Sequence, residues 1–323
     1  MNQDEEKEAT DAPEDKRRGR QEANKRCLIL NPTSGTADHI DKVRRLGTDW
    51  GYHIKETERE GHAVALTREA VTDGVDLLAV AGGDGTLHEV IQGLVDADAL
   101  DEVTLGVLPA GTKNIFATNI GVTGIQQGFE VLEYGDRRRI DVGFAGDEPF
   151  VMSCIAGLLA NASVATSGEL KERFGSLAFV ITGVQEVLTF DGLNIEITVV
   201  SNGEETTWTG EALCALVGNV RRFVKQGGQA NMEDGLFDVV IVKQMPTSDL
   251  LIEAVAHRLL GHDTEHVSHV QARQLEIDEL HGEPIEFSLD GEPSSHERLV
   301  LHVCSNALTV CVGSEYDPEP VEK

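Results

Sequence analysis

The chain has 323 residues, of which 56 are acidic and 27 basic, for a formal net charge of −29 at pH 7. With 40% apolar and 5% aromatic residues it can bury a core, but it carries no contiguous basic stripe with interleaved aromatics, which excludes nucleic acid as a partner. No apolar run reaches the roughly 20 residues that span a bilayer, and the first residues lack a signal peptide's apolar core. The expectation is a soluble, cytoplasmic protein, at most peripheral to the inner face of the cell membrane.

Acid in excess through folded segments resembles the surface of a halophile protein, where carboxylates hold water and salt screens their repulsion. Cys27, Cys154, Cys214, Cys304 and Cys311 form no CxxC pair and sit mostly in apolar runs. They read as reduced core thiols and not as a disulfide framework or a zinc site.

Residues 1–24 alternate acids and bases with almost no apolar side chains, so they cannot offset the entropy of ordering and read as a disordered tail. A buried strand at 27–30 opens the folded sequence, followed by Asn31-Pro32-Thr33-Ser34-Gly35 and a helix with Ile40, Val43, Leu46 and Trp50 on one face. A strand at 52–57, a helix at 62–71 and a strand at 76–80 come next. The loop Gly82-Gly83-Asp84-Gly85-Thr86 then opens a helix whose Leu87, Val90, Ile91, Leu94 and Val95 share an inward face, and a strand follows at 103–108. This alternation predicts a three-layer α/β domain with parallel strands and right-handed crossovers. Ligands of such sheets lie beyond the carboxyl ends of the strands. Three loops occupy such ends: 31–35, 82–86 and Pro109-Ala110-Gly111-Thr112-Lys113-Asn114.

Beyond about residue 141 the pattern changes to strand-like runs at 151–155, 194–200, 208–217, 236–242, 275–277, 285–289 and 299–303, with a hairpin turn at Ser201-Asn202-Gly203-Glu204. Helical stretches at 169–188 and 248–260 interrupt them, the second introduced by a Pro-Thr-Ser-Asp cap signal. The reading is a nucleotide-binding α/β domain at 25–141 and an antiparallel β-sandwich at 142–303, with a tail at 314–323 and an active site in the cleft between the domains.

The Gly82 to Thr86 loop carries the chemistry. Its glycines let a phosphate approach the main chain, free N–H groups and the helix dipole favour an anion, and Asp84 offers a carboxylate to a magnesium shell or a ribose hydroxyl. It is neither a Walker A loop nor a GxGxxG fingerprint, and a plain glycine turn is the bland alternative.

Asn31-Pro32-Thr33-Ser34-Gly35, Gly82 through Val90, Leu108 through Asn114 and Leu289-Asp290-Gly291-Glu292-Pro293 stand in an order that resembles the diacylglycerol kinase catalytic family, which includes soluble bacterial lipid kinases and sphingosine kinases. Ile140-Asp141-Val142-Gly143, Gly175-Ser176-Leu177-Ala178 and Asp234-Gly235-Leu236-Phe237-Asp238 support it. The resemblance covers the chain from Arg26 to about Gly313. It implies an ATP-dependent lipid kinase acting on the hydroxyl of a diacylglycerol-like or other long-chain lipid alcohol, with Mg²⁺ as cofactor and a lipid substrate met at the membrane surface. A homodimer is compatible with it, and the last strands, about 304–313, are expected to return to the first domain.

It further implies nucleotide-binding positions at Asn31, Ser34, Gly82, Gly83, Asp84, Gly85, Thr86, Glu89, Gly111, Thr112 and Asn114. Asp84 and Asp141 correspond to carboxylates that organise magnesium and water, and Asn231, Asp234 and the Leu236 carbonyl to a second magnesium site. Asp290 fits the general base, and Glu292 would orient it or join the metal shell. On their own, the residues at 231–236 equally read as a turn entering a strand, and Asp290 to Pro293 as a strand exit.

Where many family members have Asn-Asp-Phe, this chain has Asn114-Ile115-Phe116, so one acid of the metal and water network is missing. Lys113 either touches a phosphate or points to solvent. His88 reads as a surface residue, and Arg137 to Arg139, with Arg221, Arg222 and Lys225, as solvated faces. The competing functions are an NAD kinase, which shares the glycine loop, a non-catalytic nucleotide or lipid binder, and a phosphofructokinase-like sugar kinase, disfavoured because no basic sugar-phosphate site is evident.

Overall fold

A computed structural model describes residues 25–157, 192–201, 203–220, 230–244 and 266–318. The tail at 1–24, the helices expected at 169–188 and 248–260, the Gly175 to Ala178 motif, and Arg221, Arg222 and Lys225 lie outside the described residues.

The first half alternates as its periodicity predicts: β1 (Arg26–Leu30), α1 (Ile40–Asp49), β2 (His53–Glu56), α2 (His62–Thr72), β3 (Leu77–Gly82), α3 (Asp84–Asp96) and β4 (Thr104–Pro109). The strands run parallel in the order β4-β3-β1-β2. β3 is buried along its whole length, as a central parallel strand covered on both faces must be. On α3 the residues Leu87, Val90, Ile91 and Leu94 are buried, while Val95 is only partly so. Two helices that the sequence reading did not assign follow, α4 (Ile115–Asn119) and α5 (Ile125–Tyr134). In α5 a mid-helix glycine lowers local propensity, yet a Cβ on Gly128 would stand 2.6 Å from the Leu108 side chain, so tight packing on β4 selects it.

The second half is antiparallel. It contains β5 (Asp136–Ala145), β6 (Glu148–Phe150), β7 (Ser153–Gly157), β8 (Leu193–Ser201), β9 (Glu204–Gly218), β10 (Phe237–Lys243), β11 (Val267–Ala272), β12 (Gln274–Glu279), β13 (Ile285–Leu289), β14 (Glu292–His296) and β15 (Arg298–Val312). β8 and β9 close a hairpin at the predicted turn, with Ser201 opposite Glu204. β9 serves two layers: its first part pairs with β8 and its last residues with β7 and β10. The strands surround a core of their own that includes Phe150, Ile197, Val217, Phe237, Leu275 and Phe287.

β5 and β15 connect the halves. β15 first pairs with β12 and then, past an irregularity between Cys304 and Leu308, runs parallel to β4, with Thr309 opposite Thr104. β5 pairs with β15 along both stretches and runs unbroken past residue 141. All fifteen strands among the described residues therefore belong to one continuous sheet. Cys27, Cys154, Cys214 and Cys311 are buried free thiols, whereas Cys304 is exposed beside that irregularity. No helix among the described residues is long and apolar enough to cross a membrane.

Candidate active site

The three glycine-bearing loops interlock at the carboxyl ends of β1, β3 and β4. A Cβ on Gly111 would stand 2.3 Å from the Gly83 Cα, and one on Gly35, at φ +55°, 2.6 Å from the Ala110 carbonyl oxygen. Backbone-on-backbone contact of this kind leaves no room for a side chain. Polar side chains tie the loops further. Asn31 Nδ2 donates to Thr86 Oγ1 at 2.8 Å, the Gly83 N–H donates to Ser34 Oγ at 3.0 Å, and Asn114, at φ +51°, pairs with both backbone groups of Gly111.

Above these loops lies a cleft of about 570 Å³. Its walls include Asn31, Ser34, Gly83, Gly85, Thr86, Glu89 and Glu292, all anticipated from the sequence. Gly82, Asp84, Gly111, Thr112, Asn114 and the expected base Asp290 lie outside that lining; Thr112 and Lys113 are exposed on their loop. Glu89 has a second engagement, since its two carboxylate oxygens accept the N–H groups of Gly61 and Ala63 at 2.9 and 3.0 Å and so cap α2. Asp84 is turned toward α4, where Ile115 and Phe116 donate their N–H groups to it at 3.1 and 3.2 Å. Burial pushes its carboxyl up; those two donors oppose the shift and the nearby Asp290 adds to it.

Asp290 occupies the turn between β13 and β14 at φ +53°, with its side chain 1% exposed. Oδ1 accepts the N–H groups of Met152 and Ser153 at 2.8 and 2.9 Å, and Oδ2 that of Val151 at 2.8 Å. A carboxylate has about four acceptor positions, so Oδ1 is saturated and Oδ2 keeps one free. Two residues on, Glu292 crosses to the nucleotide half: a Cβ on Gly85 would meet its Oε1 at 2.9 Å. The β-rich half thus delivers two carboxylates to the first turns of α3, the helix that also bears the glycine loop.

The structure gathers Asp141, Asn231, Asp234 and Leu236 into a different locus. Asp141 is fully buried at the junction of β5 and β15, with Oδ1 accepting the Asn306 N–H at 2.7 Å and Oδ2 the Gly235 N–H at 2.6 Å. Burial raises its carboxyl above the ordinary range against the pull of those donors. Asn231 Oδ1 and Asp234 Oδ1 accept N–H groups of their own turn, from Glu233 and Leu236. Among the described residues no three His, Cys, Asp or Glu side chains converge as a ready metal cage. Magnesium beside a nucleotide needs only one or two carboxylates together with phosphate oxygens and water, and the all-oxygen donors at both loci suit a hard cation.

Several participants escaped the sequence reading. Thr57, Glu58, Arg59, Glu60 and Gly61 form a further wall of the cleft, and Arg59 is a cation on it. This loop leaves the carboxyl end of β2, so the rule that found the other three loops applies to it as well. His88, expected at the surface, is buried beside Asp290. The solvated face expected at Arg137 to Arg139 is present, since all three are exposed at the start of β5, and each also makes a contact. Arg138 makes a paired contact with Glu233, Arg137 donates to the Leu132 and Gly135 carbonyls, and Arg139 donates to that of Asn306, because β5 must anchor the ends of α5 and β15.

Glycine loops at the ends of parallel strands, a cleft lined by them and by Glu292 from the β-rich half, and Asp290 buried beside His88 are, with the family matches that follow, those of a phosphotransferase with an alcohol acceptor. Residues 25–145 match the Diacylglycerol kinase catalytic domain, and residues 153–312 the YegS C-terminal NAD kinase beta sandwich-like domain. The chain is 30% identical over 287 residues to "Probable lipid kinase YegS-like" of Enterobacter sp. (strain 638), a match spanning 87% of this chain and 93% of that one. It is 28% identical to the diacylglycerol kinase of Bacillus subtilis (strain 168), over 85% and 94% of the two chains. A crystal structure of a diacylglycerol kinase from Bacillus anthracis str. Sterne shares the fold, with a TM-score of 0.71 at 22% identity over 91% of this chain and 98% of that one. The chain belongs to the diacylglycerol kinase catalytic-domain family of ATP-dependent lipid kinases.

Proposed function

We propose that the protein transfers the γ-phosphoryl group of ATP to the hydroxyl of a diacylglycerol-like or other long-chain lipid alcohol, which it meets at a membrane surface. The observation that carries this reading is Asp290, buried, held by three backbone N–H groups and aimed at the helix of the glycine loop. The triphosphate lies in the cleft over the 31–35, 57–61 and 82–86 loops, with Arg59 beside it. Asp290 Oδ2 takes the proton of the acceptor hydroxyl, the acceptor oxygen bonds to the γ-phosphorus, and the bond to the β-phosphate oxygen breaks to release ADP. Glu292 orients the acceptor from the neighbouring strand. When bound, Mg²⁺ would supply charge neutralisation on the phosphates; Asp84 would hold it together with the nucleotide, and Asn231, Asp234 and the Leu236 carbonyl would hold a second ion.

The test is transfer of radiolabelled γ-phosphate in molar KCl with Mg²⁺ into a total lipid extract, NAD or no acceptor, by the wild type and Asp290→Asn. A labelled phospholipid that depends on Asp290 is expected. Label in NAD alone replaces this reading with an NAD kinase, and bound ATP without transfer replaces it with a nucleotide-binding relative.

A further inference from the structure

His88 is a buried titratable group that the mechanism above does not use. It lies on α3, one turn beyond Asp84, with its side chain 11% exposed. Nδ1 is 3.9 Å from Asp290 Oδ2, and Nε2 is 3.7 Å from Glu148 Oε1 on β6. Both separations are those of ion pairs and not of hydrogen bonds, and Nδ1 has no hydrogen-bond partner. The ring thus stands between two carboxylates, one inside the protein and one 38% exposed at its edge. Its Asp290 contact is to the one oxygen that still has a free acceptor position, and at 3.9 Å it does not occupy that position.

We propose that His88 is the positioning residue for the catalytic carboxylate: held between Asp290 and Glu148, it fixes Asp290 against the nucleotide helix and keeps Oδ2 turned toward the acceptor. The inference rests on the kinase reading above. The three N–H bonds anchor Asp290 only to residues 151–153, within the β-rich half. His88 adds a tie from α3, so the base is registered to the loop that carries the phosphates. Burial by itself pulls the imidazole down, but Asp290 and Glu148 outweigh it and raise the ring to about 10, which leaves it charged through the neutral range. The other charged groups of the cleft wall are Glu58, Arg59, Glu60, Glu89 and Glu292. Glu89 is committed to the Gly61 and Ala63 N–H groups, Glu292 approaches Gly85, and Asp84, one turn earlier on α3, acts on Asp290 as a like charge; the basic group within ion-pair distance of Asp290 is His88.

The test joins a titration to kinetics on the full chain. In protein labelled with ¹³C at histidine Cε1, the resonance lost in His88→Gln identifies the ring. It should stay in its charged form to about pH 9, and Asp290→Asn and Glu148→Gln should each lower its midpoint by about one pH unit or more. A ring that titrates in the ordinary histidine range, or one indifferent to both substitutions, overturns the proposal. In the transfer assay, His88→Gln and the half-exposed variant Glu148→Gln should lower kcat about tenfold or more while KM for ATP and for lipid stays within about twofold. Unchanged kcat, or a change confined to KM, overturns it. A wild type inert toward every acceptor overturns the kinase reading instead, and the titration then decides by itself whether His88 holds Asp290.

Discussion

The two halves that meet at the cleft contribute to it in opposite ways. In the α/β half the site is mostly main chain: Gly35 against Ala110, Gly83 against Gly111, and short polar side chains stitching loops at neighbouring strand ends. In the β-rich half it is side chains: Glu292 on the cleft wall, and Asp290 seated on amides 137, 138 and 139 residues earlier in the chain. A site made of backbone tolerates no added atom, whereas one made by a carboxylate tolerates no change in its chemistry. On the proposed function, that difference would divide binding from catalysis.

The strongest way to break this comparison is Asp290→Asn. It should lower phosphoryl transfer by about 10²–10⁴-fold with ATP binding kept, measured by radiolabel transfer beside calorimetry. Retention of more than about a tenth of the wild-type rate would place the base elsewhere. Gly111→Ala should have the reverse signature. Its methyl would stand 2.3 Å from the Gly83 Cα, so a stability loss of about 2–3 kcal/mol in denaturant melts and weakened ATP binding are expected. A melt like the wild type's would mean that the loops part easily, and that this half is not rigid.

The junction of the halves offers a smaller, sharper test. An amide at position 141 can accept only one of the two N–H groups that the carboxylate now accepts, so Asp141→Asn should cost about 1–2 kcal/mol of stability whether or not Mg²⁺ is present. A loss that appears only with Mg²⁺ would assign the residue to the metal.

The smallest effect belongs to Glu233. Burial would raise this carboxyl, but Arg138 and the Tyr316 hydroxyl outweigh it and hold it below the ordinary range. Its contribution is complete above the unfolded value of about 4.3 and fades as pH falls through the lower folded value. Glu233→Gln should therefore melt slightly earlier at neutral pH, by less than about 1 kcal/mol, and the gap to the wild type should close on acidification. A gap that widened toward acid would show that the pair is not what anchors β5.

Much of the α/β half was readable because its signals are local. Periodicity at i, i+3 and i+4 sets the buried faces of α1 and α3, and the glycine spacing of 82–86 marks a strand-to-helix turn. The loop after β2 was missed although it ends a parallel strand, because Thr57 to Gly61 lacks the glycine pattern that drew attention to the other loops. β5, β6, β11 and β14 were missed: β5 opens on four charged residues, β6 has three residues, β11 is half polar, and β14 is mostly polar and, with Pro293, is an edge strand at the end of the sheet, where a missing N–H costs little.

Residue order alone established the alternating α/β half, the antiparallel half and the ordered motifs that join them, since strand period, helix period and turn chemistry act over a few neighbours. Side-chain environment was settled by distant contacts. Asp141 is clamped because β5 and β15 converge on it, Asp290 is seated because its turn closes over 151–153, and His88 is buried because Asp290 and Glu148 approach it from other strands. Burial and charge pairing depend on what packs above a residue, and that partner is fixed only when the strands assemble.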